Sequence, residues 1–252
     1  MLIALAGSVY FFKDRIISQF IREANKSLST PVKPGKISVS WFEDFPNLSI
    51  VFLDVYIEDS HEGQYPLMTA EAISFQLNPV EVWNGKYMIR GLEIRNSETI
   101  LKIDRNGKNN YTILKKNEPG NGTGAISFEL RNVKLQNTRV RYYDQKSEQE
   151  YIFTSDRLKA SIKTTKDIYD IKADGQVTTE KLKVNRIELF NGKSFTVSST
   201  MVYDDVKKNL VIKPSELGLK RSTFSIEGNY NWKDQAVINL AATGKDTDIQ
   251  TL

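Results

Sequence analysis

The chain has 252 residues, 40% apolar and 26% charged, which is enough to bury a sizeable core as one large or two small domains. The absence of cysteine excludes disulfides and thiolate metal sites, and the single histidine, His61, excludes any site that needs two imidazoles. A net charge of +4, with both signs interspersed, falls short of the clustered basic residues of a nucleic-acid-binding protein. Pyrophosphate-binding glycine patterns and Walker loops are absent as well, so we expect no cofactor.

The first 28 residues predict one helix with two parts. The opening run MLIALAGSVYFF is apolar throughout, but its 12 residues are fewer than the roughly 20 that span a bilayer. Helical spacing then continues through Ile17, Phe20, Ile21, Ala24 and Leu28. We predict that residues 1–29 form a membrane anchor with an amphipathic continuation. The alternative is a buried helix of the fold.

From Ile37 onward, two-residue alternation predicts a mainly β protein with a long, mostly antiparallel sheet. The clearest alternating runs are FTVSSTMVY (195–203) and FSIEGNYNW (224–232). Turn signals separate such runs at 191–193, 205–208 and 233–234. One short helix is expected near residues 79–84, because Asn78 can cap it and Pro79 suits its first position.

Three stretches repeat one pattern: VFLDVYIED (51–59), MIRGLEIRN (88–96) and ELRNVKLQN (129–137), with a weaker fourth, VNRIELFN (184–191). In the first three, two apolar residues stand three apart, which would place them on opposite faces of a regular strand. A bulge or tight bend restores both to one face, and Asp54, Gly91 and Asn132 are residue types that tolerate the required backbone angles.

The repeats therefore predict a bent sheet with one apolar face and one polar face. The apolar face comprises Ile50, Phe52, Val55, Ile57, Ile89, Leu92, Ile94, Phe128, Leu130, Val133 and Leu135. The polar face carries Arg90, Glu93, Arg95, Lys134 and Gln136.

The segment KIDRNGKNNYTIL (102–114) concentrates polar residues between two apolar stretches. A calcium loop of the EF-hand type would need glycine at its sixth position and glutamate at its twelfth. Counted from Asp104, these positions hold Asn109 and Lys115, so the calcium interpretation fails. We predict a turn around Gly107 in which Asp104 and Asn109 accept hydrogen bonds from local backbone amides.

Carboxylate pairs such as Asp204–Asp205 could act as general acid and base, but no histidine, nucleophile elbow or glycine loop accompanies them. Hairpin turns explain them more simply. We therefore predict that the chain is not an enzyme and holds no metal.

The order of these motifs resembles the N-terminal region of AsmA-like proteins of Gram-negative inner membranes, relatives of TamB and of the bridge-like lipid-transfer proteins. The matching segments are KDRIISQFIREANKSLSTPV, WFEDFPNLSIVFLDVYIED, LMTAEAISFQLNPVEVWNGKYMIRGLEI, DRNGKNNYTIL and FELRNVKLQNTRVRYYD. The resemblance covers most of residues 1–150 and is looser over 151–252.

The resemblance implies an inner-membrane protein with a single N-terminal anchor and the bulk of the chain in the periplasm. It implies phospholipid transport or outer-membrane biogenesis, with the apolar face as a β-groove that shields acyl chains and the eleven apolar-face residues as its lining. Membrane phospholipids would be the ligands, and envelope proteins further partners.

The organisation we expect is an anchor at 1–29, an AsmA-like β-subdomain at 30–116, a flexible connector at 117–125 and continuing groove repeats at 126–252. One alternative stays open. The sheet could close on its own core and serve as a structural or assembly module that binds envelope proteins without transferring lipid.

Overall fold

The computed structural model describes residues 14, 17, 18, 20–22, 29, 30, 32–40, 47–61, 63, 65–84, 86–113, 126–189, 191–233 and 237–245. Over these residues the protein is mainly β, with one long, mostly antiparallel open sheet and two short helices. The apolar run of the predicted anchor and the predicted connector at 117–125 lie outside the described residues. No helix of the described part is long and apolar enough to cross a membrane.

Thirteen strands form the sheet in the described part of the chain. They are β1 Val32–Lys33, β2 Lys36–Ser40, β3 Leu48–Glu58, β4 Pro66–Leu77, β5 Tyr87–Ile103, β6 Ile126–Asp144, β7 Gln149–Thr165, β8 Ile168–Val184, β9 Ile187–Glu188, β10 Lys193–Asp204, β11 Asn209–Leu219, β12 Ser222–Asn231 and β13 Val237–Lys245. Neighbours follow the order β1-β3-β4-β5-β6-β7-β8-β10-β11-β12-β13, with β2 beside β3 and β9 beside β8. The pairing of β5 with β6 is parallel, and the others are antiparallel.

The predicted short helix is confirmed as Pro79–Trp83. Asn78 caps it, since its side-chain oxygen accepts a hydrogen bond from the Val80 amide at 2.9 Å, and Pro79 occupies the first helical turn. The described residues of the N-terminal helix are 14, 17, 18 and 20–22.

These two helices close the apolar face of the sheet over β3 to β5. The ring of Phe20 packs against Phe52, Phe75 and Tyr87, with centroids 5.9, 5.3 and 6.4 Å apart. Val82 of the short helix packs into the same cluster. The core therefore sits at the N-terminal end of the sheet, where Ile50 is 0% exposed.

Strands β3 to β7 all interrupt their pairing along one line across the sheet. The unpaired positions are Asp54, Glu71, Asn96, Asn137 and Asp156. Asp54, Asn96 and Asn137 have φ of +50°, +47° and +48°, and Asn137 Nδ2 donates to Asn96 Oδ1 at 2.7 Å. Because the unpaired positions line up, each of these strands has one extra residue at the same height, and the apolar residues stay on one face above and below the line.

Two of the three predicted bend residues do not have the conformation expected of them. Gly91 and Asn132 are not among the described residues with positive φ. The predicted bulges are nevertheless present at these positions. Arg90, beside Gly91, is an extra residue against β4, and β6 has extra residues directly before Asn132, which pairs with Gly91. A side chain at position 91 would force Gln76 to move, because a Cβ there would lie 2.0 Å from Gln76 Oε1.

The left-handed residues of the second and third repeats are instead their last residues, Asn96 and Asn137. The weak fourth repeat is not a bent strand at all. Residues 183–188 form a hairpin that turns at Asn185, which has φ of +55°.

Candidate functional site

Beyond β5 the sheet keeps an apolar face that the described helices do not cover. Ile162, Ile171, Met201 and Ile212 are successive cross-strand partners over β7, β8, β10 and β11, so their side chains share this face. A second row joins Val197, Leu217 and Phe224 over β10, β11 and β12. All seven side chains are half-buried, whereas their counterparts in the N-terminal core are buried.

The apolar face contains a trough of about 500 Å³, within the usual size range of small-molecule sites. Six strands supply its lining: Phe153, Val177, Thr179, Leu182, Phe195, Val197, Leu217, Phe224, Ile226 and Ala242. Thr179 is the one polar side chain in this set, and its hydroxyl donates to the Lys193 carbonyl at 3.2 Å. The trough therefore offers an apolar ligand a surface without a charge.

Stacked aromatic rings border the apolar face. Tyr203 stacks on Tyr169 and on Trp232 with centroids 5.7 and 5.5 Å apart, and Trp232 stacks on Tyr230 at 5.0 Å. Trp232 is 37% exposed, so this ladder meets solvent. Such rings present apolar faces with polar edges, a combination suited to a boundary between apolar and wet surroundings.

Burial raises the pKa of the Tyr142 phenol to about 12, and the nearby Asp144 carboxylate adds to the shift. Tyr142 lies on β6, and its ring stacks on that of Tyr151 on β7 with centroids 5.5 Å apart.

The predicted apolar-face residues share one face of the sheet, but most belong to the closed core and not to the open trough. Ile50, Phe52, Val55 and Ile89 are buried core residues. Ile57, Leu92, Ile94 and Leu130 are half-buried and pack against them, while Val133 is buried and Leu135 half-buried. Phe128 pairs with Ile89, and its side chain lies outside the described atoms. Phe20 and Val82 fill this part of the face, which moves the accessible apolar surface toward β7 to β13.

The polar-face prediction agrees with the contacts observed. Gln136 Nε2 donates to Glu93 Oε1 at 3.1 Å, and Lys134 lies 4.0 Å from the same carboxylate. Arg139 bridges the carboxylates of Glu98 and Glu180. This face therefore carries ladders of charged side chains across the strands.

Residues 104–109 of the polar segment form a turn, as predicted. Asp104 Oδ1 accepts from the amides of Asn106 and Lys108 at 2.8 and 2.9 Å, and Gly107 has φ of +83°. Asn109 Oδ1 accepts from the backbone of the residues that follow it, including the Thr112 amide at 3.0 Å.

Sequence reasoning missed the role of Asn110, which is 0% exposed. Its Nδ2 donates to Asp59 Oδ2 at 3.0 Å and to the Ile100 carbonyl at 2.9 Å, while its Oδ1 accepts from the Lys102 amide at 2.7 Å. Asn110 thus joins the end of β5 to the segment that follows β3. Nothing in the sequence distinguishes it from its exposed neighbours.

The Asp204–Asp205 pair belongs to the turn between β10 and β11. Asp204 Oδ1 accepts from the Lys207 amide at 2.9 Å, and Asp205 Oδ1 accepts from Lys208 Nζ at 2.7 Å. These bonds lower the pKa of both carboxyl groups, so both are held in the ionised state. An ionised carboxylate cannot serve as a general acid.

A second, polar depression of about 660 Å³ lies on the opposite face of the sheet. Asp156, Arg157, Asp174 and Glu216 are among its lining residues. Within the part of the chain that the structure describes, no three His, Asp or Glu side chains are placed to hold a metal ion.

No protein-family model matches the chain, and no curated protein is significantly similar to it in sequence.

Proposed function

We propose that this chain is a lipid-handling protein whose apolar trough holds acyl chains, as the resemblance to AsmA-like proteins suggests. One observation carries the proposal. The apolar face of β7 to β13 is half-exposed and contains a trough of about 500 Å³ lined by apolar side chains from six strands. A soluble sheet with no ligand would gain by covering such a surface.

The chemistry of the lining supports an acyl chain over a polar ligand. Each methylene group that leaves water gains about 0.8 kcal/mol, and the trough lining includes no charged group that this transfer would have to desolvate. A charged headgroup would find no partner inside the trough. We therefore place the acyl chain in the trough and the headgroup at its rim.

The proposed location is the bacterial inner membrane, with the bulk of the chain in the periplasm and a part in phospholipid transport or outer-membrane biogenesis. The apolar run at the N-terminus and the family resemblance support this location. Envelope proteins are proposed as further partners.

A structural or assembly module is the second candidate, and the edge of the sheet favours it. Strand β13 pairs with β12 on one side and is the last strand of the described sheet. Its nine residues, VINLAATGK, carry a single charge, at Lys245, although edge strands usually carry charges or proline that block pairing with other chains. Ile238 and Leu240 are 62% and 54% exposed, so a strand that a partner protein adds beside β13 would also cover exposed apolar side chains.

Extraction of lipid from the purified full-length chain separates the two candidates. The lipid proposal predicts phospholipid in the extract, detected by mass spectrometry, and its loss when Ile226→Asp places a charge in the trough. The matched control is Glu227→Asp, one residue along β12 on the opposite face. Equal lipid content in the wild type and in Ile226→Asp would overturn the lipid proposal and leave the assembly module.

A further inference from the structure

The two edges of the described sheet differ in how they are protected. One edge is formed by β1 and β2, which have two and five residues and both pair with β3. Lys33, Pro34 and Lys36 lie where these two short strands meet. Short strands, lysine and proline are features by which natural proteins prevent an edge from pairing with another chain. This edge is therefore poorly suited to accept a further strand.

The other edge, strand β13, has none of these features over most of its length. It extends over nine residues, Val237–Lys245, and pairs with β12 along all of them. Residues 237–244 contain no charge and no proline, and all eight are exposed. Among the described strands, none pairs with the outer side of β13. An exposed, uncharged edge of this length is a template for pairing with a strand of another molecule.

The side chains of β13 alternate between the two faces of the sheet. Ala242 lines the trough, so Ile238, Leu240 and Gly244 lie on the trough side as well. The opposite face carries Val237, Asn239, Ala241 and Thr243. Along the trough side, the two bulky residues therefore come first and the two small ones follow.

This order makes β13 complementary to a second copy of itself. When two such strands pair antiparallel with Ala241 opposite Ala241, all nine residues of each strand have a partner. On the trough side, Ile238 then faces Gly244. In the same way, Leu240 faces Ala242. Each bulky side chain meets a small one, so the facing pairs fit without a clash.

The opposite face and the symmetry of the pair favour the same register. Asn239 faces Thr243, and the amide and hydroxyl groups of these side chains can form a hydrogen bond. Ala241 lies on the two-fold axis, which keeps the troughs of both copies on one face of the joined sheet. Both copies contribute the same patch, as in the isologous interfaces of two-fold dimers.

We propose that β13 is a dimer interface at which two copies of this chain pair antiparallel about Ala241 and join their sheets. In each copy, Ala242 is the trough residue on this edge strand. Leu240 of the partner subunit faces it and continues the apolar lining, so the two troughs form one path across the dimer. The pairing does not rest on the proposed lipid handling.

Cysteine crosslinking tests the register, since the chain has no cysteine of its own. Ala241→Cys places two thiols opposite each other, where Cβ atoms are about 4.5–5.5 Å apart and a disulfide can form. The matched control is Glu227→Cys, because Glu227 is the exposed cross-strand partner of Ala241 on β12. Its two copies lie three strand spacings apart, about 14 Å, which is too far for a disulfide. Mild oxidation of the full-length proteins should give about tenfold more covalent dimer at position 241 than at position 227.

Charge pairing tests the same interface without a covalent bond. Ala241→Lys and Ala241→Glu each place two like charges opposite each other, which disfavours pairing. Each variant alone should have the mass of one chain in size-exclusion chromatography with light scattering, whereas the wild type should have twice that mass. An equal mixture of the two variants should regain the double mass, because opposite charges then face each other. This recovery also separates loss of pairing from loss of folding.

Three outcomes would overturn the proposal. They are a wild-type protein with the mass of one chain, equal yields of covalent dimer at positions 241 and 227, and a variant mixture that keeps the single mass. Crosslinking from position 241 to a different protein in membranes would overturn it too, since β13 would then serve another partner.

Discussion

Ile50→Asp and Ile226→Asp make the same chemical change in the closed and in the open part of one apolar face. Ile50 is 0% exposed beneath the helices, so its replacement removes a buried side chain, which costs about 2–5 kcal/mol. The new carboxylate, buried without a partner, adds several kcal/mol. The sum approaches the roughly 5–15 kcal/mol that holds a whole domain folded, so we expect Ile50→Asp to unfold the protein.

Ile226 is half-buried, and its cross-strand partners Ser215 and Ala242 are small. Water can reach a carboxylate at this position, so we expect Ile226→Asp to lower the free energy of unfolding by only about 1–2 kcal/mol. Urea unfolding followed by circular dichroism measures both costs. If Ile226→Asp unfolds the chain as Ile50→Asp does, the trough is a closed core and our description of an open site is wrong.

Three further predictions concern packing, a buried hydrogen-bond network and pH. Gly91→Ala should destabilise the fold by about 1–3 kcal/mol because its methyl group meets Gln76, and Gln76→Ala in the same chain should restore most of the loss; additive costs in denaturant titrations would refute this account. Asn110→Ala should cost about 2–3 kcal/mol because Asp59 loses a buried donor, and an unchanged urea midpoint would contradict that role. The folded state raises the pKa of Tyr142 from 10.0 to about 12. The contribution of its neutral phenol to the free energy of unfolding should therefore be fully present below pH 10 and decrease as the pH rises toward 12. Tyr142→Phe should lessen this fall in unfolding experiments across that range, and an identical pH profile for the variant would count against the shift.

Much of the fold follows from local patterns in the sequence. Alternation of apolar and polar residues predicts the strands, and Asn78 with Pro79 predicts the short helix, because both signals depend on neighbouring residues only. The turn at 104–109 is predictable for the same reason. Its glycine and its Asp and Asn side chains satisfy the backbone locally.

The bend positions were harder to predict because they depend on partners distant in sequence. The repeats align Asp54 with Gly91 and Asn132, but the sheet places Asp54 level with Asn96 and Asn137. Register between strands decides which residues face each other, and the parallel pairing of β5 with β6 leaves no local signal in the sequence.

The site was only partly predictable, for a related reason. Periodicity identifies an apolar face but does not tell which part of it is covered. Phe20 and Val82 cover the stretch around Ile50 and Phe52, which places the accessible trough farther along the sheet, around Leu217. Contacts of this kind, between a helix and a distant strand, cannot be inferred from the alternation of the strand alone.

Photocrosslinking from a trough residue tests most directly the central claim that the trough holds acyl chains. Leu217 lines the trough, and the adjacent Glu216 lies on the opposite face of the same strand, so the two positions form a matched pair. p-Benzoylphenylalanine is introduced at one position or the other, the full-length protein is irradiated in membranes, and adducts are identified by mass spectrometry. We predict phospholipid adducts at position 217 and none at position 216. Equal adduct yields at both positions, or no lipid adduct at 217, would contradict the claim that the trough holds acyl chains.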